Sequence, residues 1–178
     1  MAGFAFLDTP AGLVGLAWND ALAVCGGQLP EATPALTRQR MQQRYPELAE
    51  CEPPPAMAAV ITRLAAALQG APDTLEDVPL DDADVPEFNR RVYALARRIP
   101  PGQSRSYGEI AAELGGPAVA RAVGQALGRN RFAPLVPCHR VLAAHAQAGG
   151  FSGPGGLKTK LKLLQLEGAR FGEQAGLF

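Results

Sequence analysis

The segment Ser106–Leu127, SYGEIAAELGGPAVARAVGQAL, decides the fold of the C-terminal half of the chain. Ser106 and Glu109 have the spacing of a capping box, which predicts a helix from Ser106 to Leu114. Two glycines end this helix, and Pro117 stands where proline is tolerated at the start of a second one. Two short helices joined by a glycine turn predict a helix-turn-helix, although any compact helical hairpin has the same pattern.

The second predicted helix carries unusually small side chains. From Pro117 to Gly128 they are mostly Ala, Val and Gly, with Arg121 near the start and Gln125 one turn later. Small side chains let a backbone come close to a neighbour, which is another helix in a protein core or DNA in a nucleic-acid-binding protein. A helix with one long cation suits the minor groove, where the arginine can enter the base stack.

The net charge of zero is divided unequally along the chain. Residues 1–86 carry four arginines and twelve acidic residues, whereas residues 87–178 carry thirteen basic and five acidic residues. This asymmetry indicates a basic C-terminal half that faces a polyanion and an acidic half kept away from it. Solvated charged faces would give the same counts.

The two halves meet in the segment Gly70–Phe88, GAPDTLEDVPLDDADVPEF. It is rich in Pro and Asp and has no helical period, which predicts a linker at about residues 70–86. We therefore predict an N-terminal domain over residues 1–85, including this linker, and a C-terminal domain over residues 86–178.

Each half has its own secondary-structure pattern. GFAFLDTPAGLVGLAWNDALAVCGG predicts three antiparallel strands with turns at DTPAG and ND. Helices are predicted near Ala35–Leu48 and Pro55–Leu68. After the linker, EFNRRVYALARRI predicts an amphipathic helix that PPG ends. The fold class is therefore α+β, with a mostly helical C-terminal half.

Composition excludes several classes of protein. A chain of 178 residues with 47% hydrophobic and 19% charged residues is neither disordered nor fibrous. We expect no signal peptide and no membrane span, and hence a cytoplasmic protein. Three cysteines without a CxxC pair argue against a disulfide framework, so Cys25 and Cys51 are expected to be small apolar residues. With His139 and His145 as the two histidines, no metal site is predicted, and His145 is expected in an exposed turn.

The segment LVPCHRVL at residues 135–142 places Cys138, His139 and Arg140 side by side. Neighbours in an extended segment point to opposite faces, so His139 would reach the Cys138 sulfur only through a local turn or a bridging water. A nucleophilic thiol acts as its thiolate, which a nearby imidazole can generate, and the imidazole needs an orienting carboxylate. Spacing does not choose among the carboxylates of this half, which are Glu87, Glu109, Glu113, Glu167 and Glu173.

These motifs together resemble the O6-alkylguanine-DNA alkyltransferases, also called methylated-DNA–protein-cysteine methyltransferases. The similarity runs from about Pro86 to Gly168. It rests on the PCHR box, the ARAVG helix, an asparagine eight residues before the cysteine and a terminal EG, all in order. The resemblance implies a winged helix-turn-helix-like C-terminal domain and, more loosely, a small ribonuclease H-like N-terminal domain.

The resemblance also implies a reaction. Such a protein binds duplex DNA in the minor groove as a monomer, without a cofactor or a membrane, and rotates the damaged base out of the helix. It then transfers the alkyl group of O6-alkylguanine, and by expectation of O4-alkylthymine, to its own cysteine. Since the thioether product has no obvious route back to a thiol, each molecule is expected to act once.

Site residues follow by position in the matching motifs. The acceptor is Cys138, with His139 acting as its base through a water and Glu167 orienting the histidine. Arg121 matches the arginine that fills the gap left by the flipped base. Tyr107 matches the tyrosine that crowds the 3′ phosphate and assists protonation of the leaving guanine.

Further positions match the family less directly. Asn130 matches an asparagine that braces the cysteine segment against the recognition helix. Ser152 and the glycines before it match the loop that lines the guanine pocket, and Lys160 matches a lysine of less settled role. The other residues expected at the DNA or the base are Ala120, Gly124, Gln125, Arg129, Pro137, Gly149, Gly150 and Phe151.

Some features depart from the family pattern. Phe151 stands where many relatives have tyrosine, which removes one hydroxyl from the pocket wall. Two extra residues within SGPGG predict a more open loop that admits bulkier alkyl groups. No histidine precedes His139, so the chain cannot form the N-terminal zinc site of some relatives.

Three other functions are alternatives to transfer. An alkyltransferase-like protein binds lesions without transfer and carries tryptophan at the cysteine position, which Cys138 argues against. A thiol hydrolase needs a peptide or ester cleft that no other motif indicates. A helix-turn-helix regulator leaves the PCHR box unexplained.

Overall fold

The computed structural model describes residues 1–143, 153 and 155–169. Its N-terminal half opens with an antiparallel sheet in the order β1-β2-β3. The strands are β1 (Gly3–Thr9), β2 (Gly12–Trp18) and β3 (Val24–Gln28). Gly3 pairs with Trp18 and Thr9 with Gly12, so the turn at residues 10–11 sets the register. The three predicted strands and their turns are confirmed.

Two helices pack on this sheet. α1 (Pro34–Arg44) contacts β2 and β3, and α2 (Pro55–Ala67) contacts β1. α1 begins where the Thr33 hydroxyl accepts a hydrogen bond from the Leu36 amide. It ends earlier than predicted, because Pro46 disfavours helical backbone at Tyr45.

The C-terminal half is mostly helical, as predicted. Its helices are α3 (Glu87–Arg97), α4 (Tyr107–Leu114), α5 (Ala120–Gly128) and α6 (Gly156–Leu166). Two short strands, β4 (Arg105–Ser106) and β5 (Val141–Leu142), pair in parallel. None of the helices that the structure describes is both long and apolar enough to cross a bilayer.

The helix-turn-helix forms around the predicted capping box. The Ser106 hydroxyl accepts from the Glu109 amide at 3.0 Å, and the Ser106 amide donates to the Glu109 carboxylate at 2.7 Å. Gly115 and Gly116 have φ angles of +140° and +104°, which L side chains rarely adopt, so glycine is needed in this turn. The expected start of the second helix is wrong by three residues: Pro117 opens a 3-10 turn, and α5 begins at Ala120.

One hydrophobic core includes residues of both halves, from Leu16 and Trp18 on β2 to Val92 on α3 and Leu163 on α6. The segment at residues 70–86 forms no helix or strand, and it lies against β3 through hydrogen bonds around Val24. β3 also contacts the segment before Cys138, because the Gly27 amide donates to the Arg131 carbonyl at 2.8 Å. The division into two domains stays a prediction.

Candidate active site

Cys138 lies in a 3-10 turn, Cys138–Arg140, between Pro137 and β5. Its amide donates to the Val136 carbonyl at 2.9 Å, and 9% of the residue is exposed. The expectation of an extended segment is therefore wrong for these residues. Extended backbone begins at Val141, and the turn means that the opposite-face argument for His139 does not apply.

Asn130 braces the loop that leads to the cysteine. Its Nδ2 donates to the Val136 carbonyl at 2.8 Å, and its Oδ1 accepts from the Phe132 amide at 2.9 Å. Burial raises the pKa of the Cys138 thiol, and a hydrogen bond from Asn130, the charge of Lys160 and nearby amides oppose that rise in part. The free protein therefore holds Cys138 as a thiol at neutral pH, and a base is needed to generate the thiolate.

Glu167 is the carboxylate that meets His139. Its Oε1 lies 2.9 Å from His139 Nε2 and 2.8 Å from Arg140 Nη2, and its Oε2 accepts from Arg140 Nε at 3.0 Å. The third Arg140 nitrogen, Nη1, donates to the Ile99 carbonyl at 2.8 Å. All three residues are buried, at 1%, 4% and 4% exposure for His139, Arg140 and Glu167. We call these three residues the buried clamp.

The clamp controls the protonation of the histidine. Burial lowers the pKa of His139, and the Glu167 charge offsets this only in part, so the imidazole is neutral. Burial would raise the pKa of Glu167, but His139 and Arg140 outweigh it and hold the pKa at about 2. Because a carboxylate only accepts, the proton of the neutral imidazole lies on Nε2 and the lone pair on Nδ1.

Arg140 is a site residue that the sequence reasoning missed. The signal was present, since an arginine inside the apolar run LVPCHRVL must be paired if the run is buried. Its partner lies 27 residues further along the chain, so neither residue identifies the other from sequence.

Lys160 and Tyr107 lie close to each other near the cysteine. Lys160 Nζ donates to the Val141 carbonyl at 2.8 Å and lies 5.7 Å from the centroid of the Tyr107 ring. Burial lowers the pKa of Lys160 to about 8, while Cys138 acts in the opposite direction. Burial, followed by the effect of Cys138, raises the pKa of Tyr107, which keeps its hydroxyl protonated and able to donate.

The expected DNA-facing residues of α5 share one side. Arg121, Gln125 and, just past the helix, Arg129 are exposed, while Ala120 and Gly124 are partly exposed. A Cβ atom at Gly124 would have no neighbour within 4 Å among the described residues. Pro137, in contrast, is buried beside Cys138. Several expected residues, Gly149, Gly150, Phe151, Ser152 and His145, lie outside the described residues.

A cavity of about 810 Å³ opens at the cysteine. Its C-terminal wall includes Tyr107, Gly124, Asn130 and Cys138. Its other wall comes from the N-terminal half, with Gly27, Gln28, Leu29, Glu31, Arg40 and Arg44. The sequence reasoning missed this second wall, although TRQRMQQR at residues 37–44 stands out as a basic cluster in an acidic half.

No group of three or more metal-binding side chains occurs in the part of the chain that the structure describes.

Comparisons with known proteins identify the family. A family model described as "6-O-methylguanine DNA methyltransferase, DNA binding domain" matches residues 87–169. A methylated-DNA–protein-cysteine methyltransferase of Mycolicibacterium paratuberculosis is 39% identical over 170 residues, which cover 94% of this chain and 93% of the relative. The chain belongs to the methylated-DNA–protein-cysteine methyltransferase family. The predicted family and enzyme class are thereby confirmed.

Other family members agree along the whole chain. The Mycobacterium tuberculosis relative is 36% identical over 181 residues, covering 100% of this chain and 99% of its own. The crystal structure of Mycobacterium tuberculosis OGT in complex with DNA superposes with a TM-score of 0.69 at 32% identity, covering 99% of both chains. A methyltransferase from Pyrococcus kodakaraensis has a TM-score of 0.71 at 23% identity, covering 93% of this chain and 99% of its own, and supports the fold alone. The predicted α+β class is confirmed.

Proposed function

We propose that this protein repairs DNA by transferring the alkyl group of O6-alkylguanine to the Cys138 sulfur, irreversibly and once per molecule. The observation that carries the proposal is the placement of Cys138 at the cavity, next in sequence to a neutral histidine held by a buried carboxylate. Relatives named methylated-DNA–protein-cysteine methyltransferases, and the OGT structure containing DNA, support duplex DNA as the substrate.

The clamp supplies the base. His139 donates Nε2–H to Glu167 and offers the lone pair of Nδ1, which accepts the Cys138 proton through one water molecule. Glu167 stabilises the imidazolium that forms, and Arg140 keeps Glu167 ionised. A thiolate is a soft, strong nucleophile and suits displacement at an alkyl carbon.

The displacement forms a carbon–sulfur bond and breaks the bond between the alkyl carbon and guanine O6. The electron pair of the broken bond stays with the guanine, which takes up one proton. Tyr107, whose raised pKa keeps its hydroxyl protonated, assists this protonation by donating a hydrogen bond to the leaving guanine at the cavity wall. Cys138 loses one proton, which passes through the His139 imidazolium to solvent. This proton offsets the one that the guanine takes up, so the reaction as a whole is balanced.

The alkylated base must leave the DNA stack to reach Cys138, which costs a few kcal/mol. We infer that α5 enters the minor groove, where its small residues Ala120 and Gly124 allow close approach. Arg121 fills the gap left by the flipped base, and Gln125 and Arg129 contact the DNA beside it. O4-alkylthymine presents the same kind of carbon–oxygen bond, so we infer the same transfer from it.

We infer a monomer that works without a cofactor on cytoplasmic, nucleoid DNA. The loop from Gly149 to Ser152 is assigned to the base pocket from the family pattern alone, with Phe151 packing against the base.

Intact-protein mass spectrometry tests the proposal. After incubation with a duplex that contains one O6-methylguanine, we expect one added methyl group per molecule, mapped to Cys138. Cys138→Ser abolishes the gain while duplex binding persists, and Cys25→Ser, the matched cysteine control, retains the full gain. Binding without a mass gain in the unaltered protein would make it a lesion-binding protein, and a methyl group at another residue would refute Cys138 as the acceptor.

A further inference from the structure

The part of the cavity wall that comes from the N-terminal half carries positive charge, although that half of the chain is otherwise acidic. α1 holds three of the four arginines found before residue 87, Arg38, Arg40 and Arg44. Two of them, Arg40 and Arg44, line the same cavity as Cys138. The expectation that the acidic half is kept away from DNA does not account for this wall.

The three arginines differ in how their charge is compensated. Arg38 pairs with Glu50 and lies 4.6 Å from the centroid of the Phe6 ring. Arg40 Nε lies 3.5 Å from Glu31 Oε1. Arg44 makes no ion pair within residues 1–143, 153 and 155–169. Its charge is therefore the uncompensated one on this wall.

Neutral acceptors hold the Arg44 guanidinium in place. Nη1 donates to the Gly27 carbonyl and, at 2.8 Å, to Gln28 Oε1. Gln28 is 3% exposed, and its Nε2 donates to the Leu29 carbonyl at 3.0 Å, which directs its Oε1 towards Arg44. The Gly27 amide donates a hydrogen bond to the Arg131 carbonyl. The residues that hold Arg44 are therefore fixed to the segment that leads to Cys138.

The guanidinium keeps donors for a ligand. Nη2 has a long contact of 3.4 Å to the Tyr45 hydroxyl, and Nε has no hydrogen-bond partner among the described residues. These two nitrogens form one edge of the planar fork, the edge that binds two oxygens of a phosphate side by side. An exposed cation held in position loses little side-chain entropy when such an anion binds.

We propose that Arg44 binds a backbone phosphate of the DNA whose alkylated base enters the cavity. This inference rests on the proposed function and adds to it a DNA contact from the N-terminal half, at the cavity that Cys138 lines. The duplex is then held by α1 as well as by α5.

Salt dependence of binding tests the contact. In a Cys138→Ser background, which prevents reaction, fluorescence anisotropy gives the affinity for a duplex with one O6-methylguanine at several salt concentrations. We expect Arg44→Ala to reduce the slope of log Kobs against log salt by about 0.9. If the two proteins bind the duplex with equal affinity at 1 M salt, this change of slope corresponds to an affinity about eightfold lower for Arg44→Ala at 0.1 M salt.

Two further variants make the result specific. Arg38→Ala removes the same charge from the same helix, away from the cavity wall, and is expected to leave the slope unchanged. Arg44→Gln can still donate to Gly27 without the charge and is expected to show the same slope change as Arg44→Ala. The two substitutions at residue 44 thus separate loss of the phosphate contact from loss of local structure.

Each outcome has a distinct meaning. An unchanged slope in both Arg44 variants overturns the phosphate contact, as does an equal change in Arg38→Ala, which would indicate a general charge effect. If the unaltered protein neither binds the duplex nor gains mass, the proposed function itself fails. If it gains mass while the Arg44 variants keep the slope, only the phosphate contact is lost.

Discussion

Two arginines near Cys138 differ in how their charges are compensated. Arg140 is 4% exposed and donates three hydrogen bonds to Glu167 and Ile99. Arg44 is exposed on the cavity wall and bonds only neutral oxygens within the described residues. One arginine is committed to the fold, and the other keeps its charge for a ligand.

The difference follows from the cost of removing charge from water. A buried ion needs an oppositely charged partner and a hydrogen bond for each of its polar groups. The charge of Arg140 is therefore paired with Glu167 and keeps that carboxylate ionised. An exposed guanidinium stays hydrated and needs no acid beside it. A charge that is buried and paired therefore supports the site, whereas a charge that is positioned but unpaired is available to bind a ligand.

The largest effect on stability is expected from removing the buried arginine, Arg140. Arg140→Leu leaves the Glu167 carboxylate buried with His139 as its remaining partner in the clamp, and should lower the free energy of unfolding by about 3–5 kcal/mol. Urea denaturation measures this loss. Arg140→Leu combined with Glu167→Leu should recover much of it, because apolar residues replace the ion pair. A loss below about 1 kcal/mol for the single variant would show that Glu167 does not depend on Arg140.

A second effect appears in the pH dependence of stability. The pKa of Glu167 is lowered to about 2 in the folded protein, against about 4.3 for an unfolded glutamate. Between these values the unfolded state binds more protons, so the contribution is present above about pH 4.3 and is lost as pH falls towards 2. Its size is about 3 kcal/mol.

Glu167→Gln should therefore flatten the pH dependence of the unfolding free energy below about pH 4.3. Urea titrations at a series of acidic pH values measure the slope. The exposed Glu52→Gln serves as the control and should follow the unaltered protein. Equal slopes for Glu167→Gln and the unaltered protein would contradict the assignment of a clamped, ionised Glu167.

The smallest effect on stability is expected from removing the exposed arginine, Arg44. Arg44→Ala removes hydrogen bonds at the surface and should lower the free energy of unfolding by about 1 kcal/mol or less. The same urea titrations measure it beside Arg140→Leu. A loss near that of Arg140→Leu would place Arg44 among the structural residues and remove the contrast between the two arginines.

Local signals in the sequence were sufficient for much of the fold. Ser106 and Glu109 predicted the start of α4, because a capping box involves residues only three apart. Gly115 and Gly116 predicted the turn, because their backbone conformation excludes other residues. The strand and turn pattern of residues 3–28 predicted the sheet. The start of α5 was misplaced, since proline tolerates both a 3-10 turn and an α-helix.

The residues of the candidate site were likewise predictable from sequence only in part. Cys138 and His139 were recognised as reactive types from their own motif, but spacing left five carboxylates open, and only the resemblance selected Glu167. The fold brings Glu167 to His139 and Arg140 across 27 to 28 residues, and it brings Arg44 to the cavity that Cys138 also lines. Periodicity and capping report contacts within a few residues, so local sequence patterns were sufficient for the helices and strands, whereas Cys138 as the acceptor stays a prediction from its motif and the resemblance. Burial depends on packing between distant segments, so which charge is buried and paired, and which is left exposed, follows from the fold and not from local sequence.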